Sequence, residues 1–362
     1  MKEIDYASIA RLLLAWYGSH GRSLPWRETK DPYRIWLSEI MLQQTRVEAI
    51  RGYYERFLDA LPSVADLALA SEEVLLKLWE GLGYYSRVRN MQKAARTIMQ
   101  EYGGVIPADH DALLKLCGIG PYTAAAVASI AFGIPKAAVD GNVLRVYTRL
   151  GANGADIADP AFKREVASVL DSVIPRKDPG AFNQAMMDLG ATVCTPNGTP
   201  LCGSCPLSEL CLAHLLHTEL SYPVKTAAKA RKIEKMTVFV IREGDRIALR
   251  KRKNSGLLAG MYEPVHTEGW LGEAEAVTFL QNLALDPLHI ERIEDAKHVF
   301  THKEWHMIAY EVKAGLPQTA QVPGIFFATA EELQNTYPIP SAFAAYQTRM
   351  GMRKNPKKQA KR

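Results

Sequence analysis

The chain has 362 residues, of which 48% are hydrophobic and 23% are charged. This length exceeds what one hydrophobic core usually organises, so two or three domains are expected. The composition is typical of a globular protein, and no apolar run reaches the ~18–20 residues that a membrane-spanning helix needs. The N-terminus carries acidic residues and lacks the order of a signal peptide, so we predict a cytoplasmic protein.

The net charge of +5 is unevenly distributed. Residues 353–362 hold six basic residues and no acidic one, which leaves −1 for the rest of the chain. The total charge therefore does not by itself indicate a polyanionic partner. We assign 351–362 to a basic tail, for which a solvated terminus and a contact with a polyanion both remain open.

Residues 1–217 follow helical patterns almost throughout. Asp31 and Pro32 form an N-cap and a first helical residue, and apolar residues then recur at helical spacing up to Leu61, with a break allowed midway. Ser71 begins the next helix. Further helices are predicted at 84–101, 109–116, 121–132, 142–150, 160–172 and 179–193.

The pattern changes after residue 217. A polar, basic linker is predicted at 218–235, and from Met236 the hydrophobic period becomes that of strands. Two hairpins, at 237–252 and 298–312, flank a helix at 273–283. We therefore expect a multidomain chain, with an all-α region at 1–217 and a separate α+β domain at 236–350.

Two short motifs in the helical region could contact a nucleic acid backbone. Gly118 and Gly120 predict a tight turn between helices, whose backbone N–H groups and following helix N-terminus can hold a phosphate without reading sequence. A plain helix–helix turn is the alternative. Asp140, which follows one helix later, is either an ordinary N-cap or a carboxylate that faces a backbone held at this turn.

Glu39 lies inside an apolar helical stretch. A surface position is the usual one for Glu, but apolar neighbours predict a partly buried carboxylate whose raised pKa lets it donate a proton near neutral pH. Gln43, Gln44 and Thr45 follow it, and their side chains suit base edges or a gap in a duplex.

Four of the five cysteines lie between Cys194 and Cys211. Thiols this close along the chain can form disulfides, a zinc site or an iron–sulfur cluster. The missing secretion signal disfavours disulfides, and the single Cys-x2-Cys arm at Cys202 and Cys205 fits one compact cluster better than a zinc site with two short arms.

Together with the segment 82–87 (LGYYSR), these motifs resemble the endonuclease III superfamily of helix–hairpin–helix DNA glycosylases over nearly the whole chain. The resemblance is to its adenine-removing branch and implies hydrolysis of the N-glycosidic bond of adenine mispaired with 8-oxoguanine in double-stranded DNA. It also implies a 4Fe–4S cluster on the four cysteines, and we expect a nucleoid-associated monomer. The lyase branch has a Schiff-base lysine where this chain has Tyr122, so a monofunctional enzyme that leaves an abasic site is expected.

The resemblance further implies roles for individual residues. Glu39 is the acid that protonates adenine, Asp140 is the carboxylate that faces the sugar, and Tyr122 and Asn142 hydrogen-bond around these two. The implied DNA-binding residues are Gln43, Gln44, Thr45, Tyr84, Arg87, Gly118 and Gly120, and the implied adenine pocket includes Trp26, Arg27 and Leu42.

Residues 236–350 resemble a MutT-like (Nudix-like) domain that recognises 8-oxoguanine. Phe300, Thr301 and His302 match its recognition loop and lie at a predicted hairpin tip, where exposed recognition residues are plausible and an ordinary polar turn is the alternative. The sequence pattern of Nudix hydrolases is missing, so this domain is expected to bind a base and not to hydrolyse nucleotides.

Two rival hypotheses remain. A pyrimidine-damage glycosylase with lyase activity is disfavoured by Tyr122 and by the second domain. A non-catalytic iron–sulfur DNA-binding protein would need no pair of carboxylates.

Overall fold

The structure, a computed structural model, describes residues 5–227, 230–315 and 323–353. Residues 354–362 of the predicted basic tail and 228–229 of the predicted linker lie outside the described residues. Within the described ranges, no helix is long and apolar enough to cross a membrane.

The part that precedes the linker is helical, as predicted. Its helices are α1 (Tyr6–His20), α2 (Pro32–Leu42), α3 (Val47–Ala60), α4 (Val64–Leu69), α5 (Glu72–Leu78), α6 (Ser86–Glu101), α7 (His110–Lys115), α8 (Pro121–Phe132), α9 (Gly141–Leu150), α10 (Pro160–Val173), α11 (Pro179–Thr192) and α12 (Leu212–Leu215). A 3-10 turn at Pro25–Arg27 precedes α2.

Short polar side chains begin many of these helices. The Asp31 carboxylate accepts hydrogen bonds from two backbone N–H groups at the start of α2, and the Ser71 hydroxyl accepts one at the start of α5. Such caps satisfy backbone donors that have no partner inside the helix. The break expected within 31–61 lies at residues 43–46, between α2 and α3.

Helix α8 forms the centre of this helical part. All residues from Thr123 to Ile130 are buried. A helix that is apolar on every side must be surrounded by other elements, and α2, α7 and α11 pack against α8. The helices that carry Glu39 and Tyr122 are therefore held directly against each other.

The C-terminal part is a mixed six-stranded sheet in the order β4-β5-β1-β3-β2-β6. Strands β1 and β5 are parallel, and the other neighbouring pairs are antiparallel. Both predicted hairpins are confirmed. The elements are β1 (Lys232–Glu243), β2 (Arg246–Lys251), β3 (Tyr262–Glu268), α13 (Glu273–Asn282), β4 (Asp286–Val299), β5 (Lys303–Gly315), β6 (Phe326–Thr329) and α14 (Ala330–Asn335), followed by a 3-10 turn at Ser341–Tyr346.

Each face of the sheet buries its own core. Val238 and Val240 point to one face, which α14 and the 3-10 turn cover, and Phe239 and Ile241 point to the other, which α13 covers. This alternation follows from the period of two in a strand. Strand β1 begins at Lys232, earlier than the predicted Met236, because its first residues pair with β5 from Lys303 onward.

The contacts divide the described chain into two compact units. The first contains residues 5–69 and 89–227, and the second contains 70–88 together with the C-terminal part. The second unit thus includes α5 and the turn after it, which differs from the predicted boundaries. The cause lies in long-range contacts of this segment, such as the hydrogen bond from the Ile339 N–H to Glu80, which sequence periodicity does not report.

Candidate active site

Glu39 lies on α2 inside the helical unit and is only 5% exposed. Its Oε2 accepts a hydrogen bond of 2.7 Å from the Tyr122 hydroxyl. Burial raises the pKa of Glu39 to about 7, and the nearby negative charge of Asp140 adds to the rise. The burial predicted for Glu39 is therefore confirmed, and it is the cause of the raised pKa.

Tyr122 lies in the first turn of α8, directly after the glycine turn. Burial raises the pKa of its phenol well above the ordinary value, and Glu39 adds to the rise. Tyr122 therefore stays protonated and can act as a hydrogen-bond donor to the carboxyl group.

Asp140 caps the N-terminus of α9. Its Oδ1 accepts from the backbone N–H groups of Asn142 and Val143, at 2.9 and 2.8 Å, and its Oδ2 accepts from the Asn142 side-chain amide at 2.8 Å. Burial raises the pKa of Asp140, and these hydrogen bonds oppose the rise because they favour the charged form. Glu39 accepts one such bond and Asp140 three, so Glu39 is the carboxyl group that holds a proton more readily.

Both carboxyl groups line one cavity of about 630 Å³. The predicted pocket residues Trp26, Arg27 and Leu42 line it too. So do Gln43, Gln44 and Thr45, which follow the end of α2, with Gln44 in the left-handed conformation at φ 57°. The helical part therefore brings together Glu39, Asp140 and the residues that the sequence predicts for the adenine pocket.

Sequence reasoning missed several residues of this cavity, among them Arg22, Gln184 and Met187. Gln184 Oε1 accepts a hydrogen bond of 2.7 Å from the Tyr17 hydroxyl, which orients its amide. The available signal was the polar pair at 183–184, which together with Asp188 interrupts the apolar residues of α11.

A buried carboxylate fixes the arginines of the cavity wall. Asp188 accepts hydrogen bonds from Nη1 and Nη2 of Arg27, at 2.5 and 2.8 Å, and from Nε of Arg22 at 2.7 Å. Burial alone would raise the pKa of Asp188, but the two guanidinium groups hold it below its ordinary value. The result is a bidentate pair that fixes Arg27 in the cavity wall.

The glycine turn has one strict geometric requirement. Gly118 adopts φ 78°, and a Cβ at this position would lie 2.6 Å from the Cβ of Asn90. Gly120 is the N-cap of α8. The backbone groups at the start of this helix are therefore available for an anion.

Four cysteines converge after α11. Cys194, Cys202, Cys205 and Cys211 line one small cavity and form no disulfide. The Arg149 guanidinium donates to the Cys194 sulfur at 3.2 Å. Four thiols around one space match the donor set of an iron–sulfur cluster. Cys202, His214 and Glu219 also bring possible metal-ligand atoms together here.

A chain of hydrogen bonds joins the cysteine loop to the carboxylate of Asp140. Arg145 donates from Nε to the Cys194 carbonyl at 2.8 Å and from Nη2 to the Asn142 Oδ1 at 2.9 Å. Asn142 in turn donates to Asp140. The close approach of α9 and α11 needs Gly190, where a Cβ would lie 2.7 Å from the Asn142 Cβ.

The second unit carries the predicted recognition loop. Thr301 and His302 lie at the tip between β4 and β5, beyond the last pair of Val299 with Glu304. Phe300 packs below the tip, with its ring centroid 4.6 Å from that of His298 and 4.8 Å from that of Trp305. The loop is therefore held by edge-to-face aromatic contacts.

Tyr84 contacts this loop. Its hydroxyl lies 3.0 Å from the Thr301 hydroxyl, and 47% of its surface is exposed. Arg87, predicted to bind DNA, is instead buried and donates to the carbonyls of Leu82 and Gly83. Its guanidinium therefore supports the turn that presents Tyr84.

Comparisons with known proteins agree with both parts of the chain. Residues 37–171 match the HhH-GPD superfamily of base excision DNA repair proteins, and residues 237–348 match the NUDIX domain family. The Adenine DNA glycosylase of Rattus norvegicus is 34% identical, over 91% of this chain and 76% of the relative. The one of Homo sapiens is 34% identical, over 88% and 70%. The one of Buchnera aphidicola subsp. Schizaphis graminum is 29% identical, over 91% and 94%.

Solved structures resemble the helical part. A thermostable thymine-DNA glycosylase superposes with a TM-score of 0.54 at 29% identity and covers 58% of this chain and 97% of its own. A non-covalent endonuclease III–DNA complex superposes with a TM-score of 0.51 at 27% identity, over 59% and 99%.

Proposed function

The chain belongs to the adenine DNA glycosylases, and from this premise we propose that it removes adenine mispaired with 8-oxoguanine or guanine from duplex DNA and leaves an abasic site. The observation that carries the proposal is the cavity in which the protonatable Glu39 faces the hydrogen-bonded Asp140. Because its substrate is double-stranded DNA, we place the enzyme at the nucleoid.

Adenine is a poor leaving group as an anion, so a proton has to reach the base as the N-glycosidic bond breaks. Glu39 supplies this proton, since a carboxyl group with a pKa of about 7 is substantially protonated at neutral pH. The base has to be flipped out of the duplex to reach this cavity. Trp26 and the amide of Gln184 line the space that would hold it.

Loss of the base leaves positive charge on the sugar. The ionised Asp140 stabilises this oxocarbenium-like state, electrostatically or covalently. Water then adds at the sugar carbon and loses a proton to the carboxylate of Glu39, which restores the acid, so the products are free adenine and an abasic site. Two carboxyl groups in opposite protonation states are what this reaction needs, and the different hydrogen bonding of Glu39 and Asp140 supports that division.

Tyr122 supports a reaction without strand cleavage. A phenol cannot form a Schiff base with the opened sugar, so we propose that the enzyme has no lyase step. The test is incubation with a labelled duplex that contains the adenine:8-oxoguanine pair. Strand breaks only after alkali support the proposal, breaks without alkali indicate a lyase, and no breaks in either case indicate a non-catalytic DNA-binding protein.

We propose that the four cysteines of the loop at 194–211 hold a 4Fe–4S cluster. The cluster would cross-link the loop next to α9, and its thiolate ligands fit the cavity that the four residues line. Arg145 and Arg149, which contact the backbone and the sulfur of Cys194, would then hold the ligand loop against the helix that carries Asn142.

The cluster proposal predicts the metal content of the purified protein. We expect about four iron and four sulfide per chain, with a brown colour. Elemental analysis and a sulfide assay check this. Cys117→Ser is the control and should have the same iron and sulfide content as the wild type, because Cys117 is exposed and does not line the cavity. Stoichiometric zinc without iron would contradict the proposal and favour the group around His214.

The recognition loop supports a contact with the base opposite adenine. The hydroxyl of Thr301 and the imidazole of His302 provide hydrogen-bonding groups at an exposed tip, and Tyr84 places a half-exposed aromatic ring beside them. We propose that these residues read 8-oxoguanine and that the domain does not hydrolyse nucleotides.

Replacement of both Thr301 and His302 by Ala is expected to reduce the preference for adenine opposite 8-oxoguanine over adenine opposite guanine. One or two lost hydrogen bonds correspond to roughly 1–3 kcal/mol, or about fivefold to a hundredfold. The measurement is the ratio of single-turnover rates on the two duplexes. An unchanged ratio would mean that the loop is a plain polar turn.

A further inference from the structure

Two charged side chains, Lys77 in α5 and Glu80 in the turn after it, hold this segment to the C-terminal part. Lys77 Nζ donates to the carbonyls of Leu333 and Tyr337, at 3.0 and 3.2 Å. Glu80 Oε1 accepts from the Ile339 N–H at 2.8 Å. Lys77 and Glu80 also form an ion pair of 2.8 Å, in which each side chain is 19% exposed. We call these two residues the α5 anchor.

The anchor satisfies backbone groups at the end of α14. Leu333 lies in the last turn of this helix, where carbonyl groups lack partners within the helix and a cation is favourable. Ile339 is fully buried, so its N–H needs an acceptor, and Glu80 supplies it. Removal of either side chain therefore leaves buried polar groups without a protein partner.

The turn that follows the anchor is held by side-chain hydrogen bonds and leads to Tyr84. Trp79 Nε1 donates to the Gly83 carbonyl at 3.1 Å, and Arg87 donates to the same carbonyl at 3.1 Å. Gly81 and Gly83 adopt φ 97° and 71°, and Tyr84 itself adopts φ 48°. Because two side chains hold the Gly83 carbonyl, the position of the anchor determines where the Tyr84 ring lies.

The anchor and the recognition loop share one core. Leu333 and Ile339 belong to the same apolar cluster as Trp305, and Phe300 packs against this cluster. The anchor thus attaches the turn that carries Tyr84 to the same apolar cluster that supports the recognition loop. At the exposed end, the Tyr84 hydroxyl contacts the Thr301 hydroxyl directly.

We propose that Lys77 and Glu80 are positioning residues for discrimination of the base opposite adenine, because they hold Tyr84 against Thr301 as one preformed reading surface. This inference rests on the proposed function and deepens it. Without the anchor, Tyr84 and the loop would have to be ordered separately on each binding event, so part of the preference for 8-oxoguanine would be lost.

The test uses Lys77→Met in the full-length protein. We expect the ratio of single-turnover rates, adenine opposite 8-oxoguanine over adenine opposite guanine, to fall by roughly threefold to tenfold. A ratio measured on one preparation cancels any loss of folded protein. In a Tyr84→Ala background, Lys77→Met is expected to cause no further fall, because the anchor acts through Tyr84.

Lys251→Met is the matched control. Lys251 pairs with Glu73 of the same helix at 3.2 Å, but the side chains are 44% and 52% exposed, and such pairs contribute little. The Lys251→Met variant should therefore show the wild-type ratio of single-turnover rates on the two duplexes.

Glu80→Met tests the same point if Lys77→Met does not fold, because Met removes both the acceptor for the Ile339 N–H and the ion pair with Lys77. A wild-type ratio in the folded anchor variants overturns this inference. A wild-type protein without any preference for 8-oxoguanine overturns the proposed function instead.

Discussion

Glu39→Gln is expected to lower the single-turnover rate of adenine release by at least about a hundredfold, while binding to the mispaired duplex is largely kept. Gln has nearly the shape of Glu and can still accept the hydrogen bond from Tyr122, but it has no proton to donate. Glu55→Gln, an exposed position on α3, is the control and should keep the wild-type rate. Turnover close to wild type in the Gln variant would exclude Glu39 as the acid.

The same residue predicts a pH dependence. The protonated form is the active one, so the wild-type rate should fall as pH rises through about 7, the pKa of buried Glu39. The residual rate of Glu39→Gln should show no such fall.

The free energy of unfolding of the wild type should also decrease as pH rises, because ionisation of the buried Glu39 carboxyl group is unfavourable. The wild type should therefore lose stability relative to the Gln variant as pH rises from about 4.5 to about 7.

Asp188→Asn is expected to destabilise the helical unit by about 3–5 kcal/mol. The Asp188 side chain is fully buried between Arg27 and Arg22, whose side chains are 10% and 29% exposed. Removing the negative charge leaves a buried guanidinium group without its counterion. Chemical denaturation of the purified variant measures the effect.

The control for this variant is Asp111→Asn, whose carboxylate is 85% exposed beside His110. It should change the free energy of unfolding by less than about 1 kcal/mol. If the two variants have the same stability, Asp188 does not carry the structural role that its burial implies. If Asp188→Asn also slows adenine release, the placement of Arg27 in the cavity wall contributes to the reaction.

Several features of this protein follow from local sequence. Asp31 begins α2 and Ser71 begins α5 because a short polar side chain reaches the first backbone N–H groups of its own helix. The alternation of residues along β1 predicts which side chains point to each face of the sheet. The apolar neighbours of Glu39 along the chain predict that it is buried. Each of these depends on residues a few positions apart, so a single sequence is enough to predict them.

Other features depend on residues far apart in the chain. Residues 70–88 belong to the second unit because Lys77 and Glu80 contact backbone groups more than two hundred and fifty positions later. The charge of Arg87 would allow it to bind a phosphate. Its guanidinium instead lies over the Trp79 ring and donates to the Leu82 carbonyl, so the side chain is buried.

Local patterns in the sequence are enough to predict the helices, the two hairpins, the pair of carboxyl groups and the group of cysteines. Which side chains meet depends on the tertiary fold. It placed Asp188 between two arginines, Gln184 in the cavity and Tyr84 against Thr301. The physical reason is that periodicity and capping act within one element, whereas burial of a charge or an amide depends on partners supplied by another element.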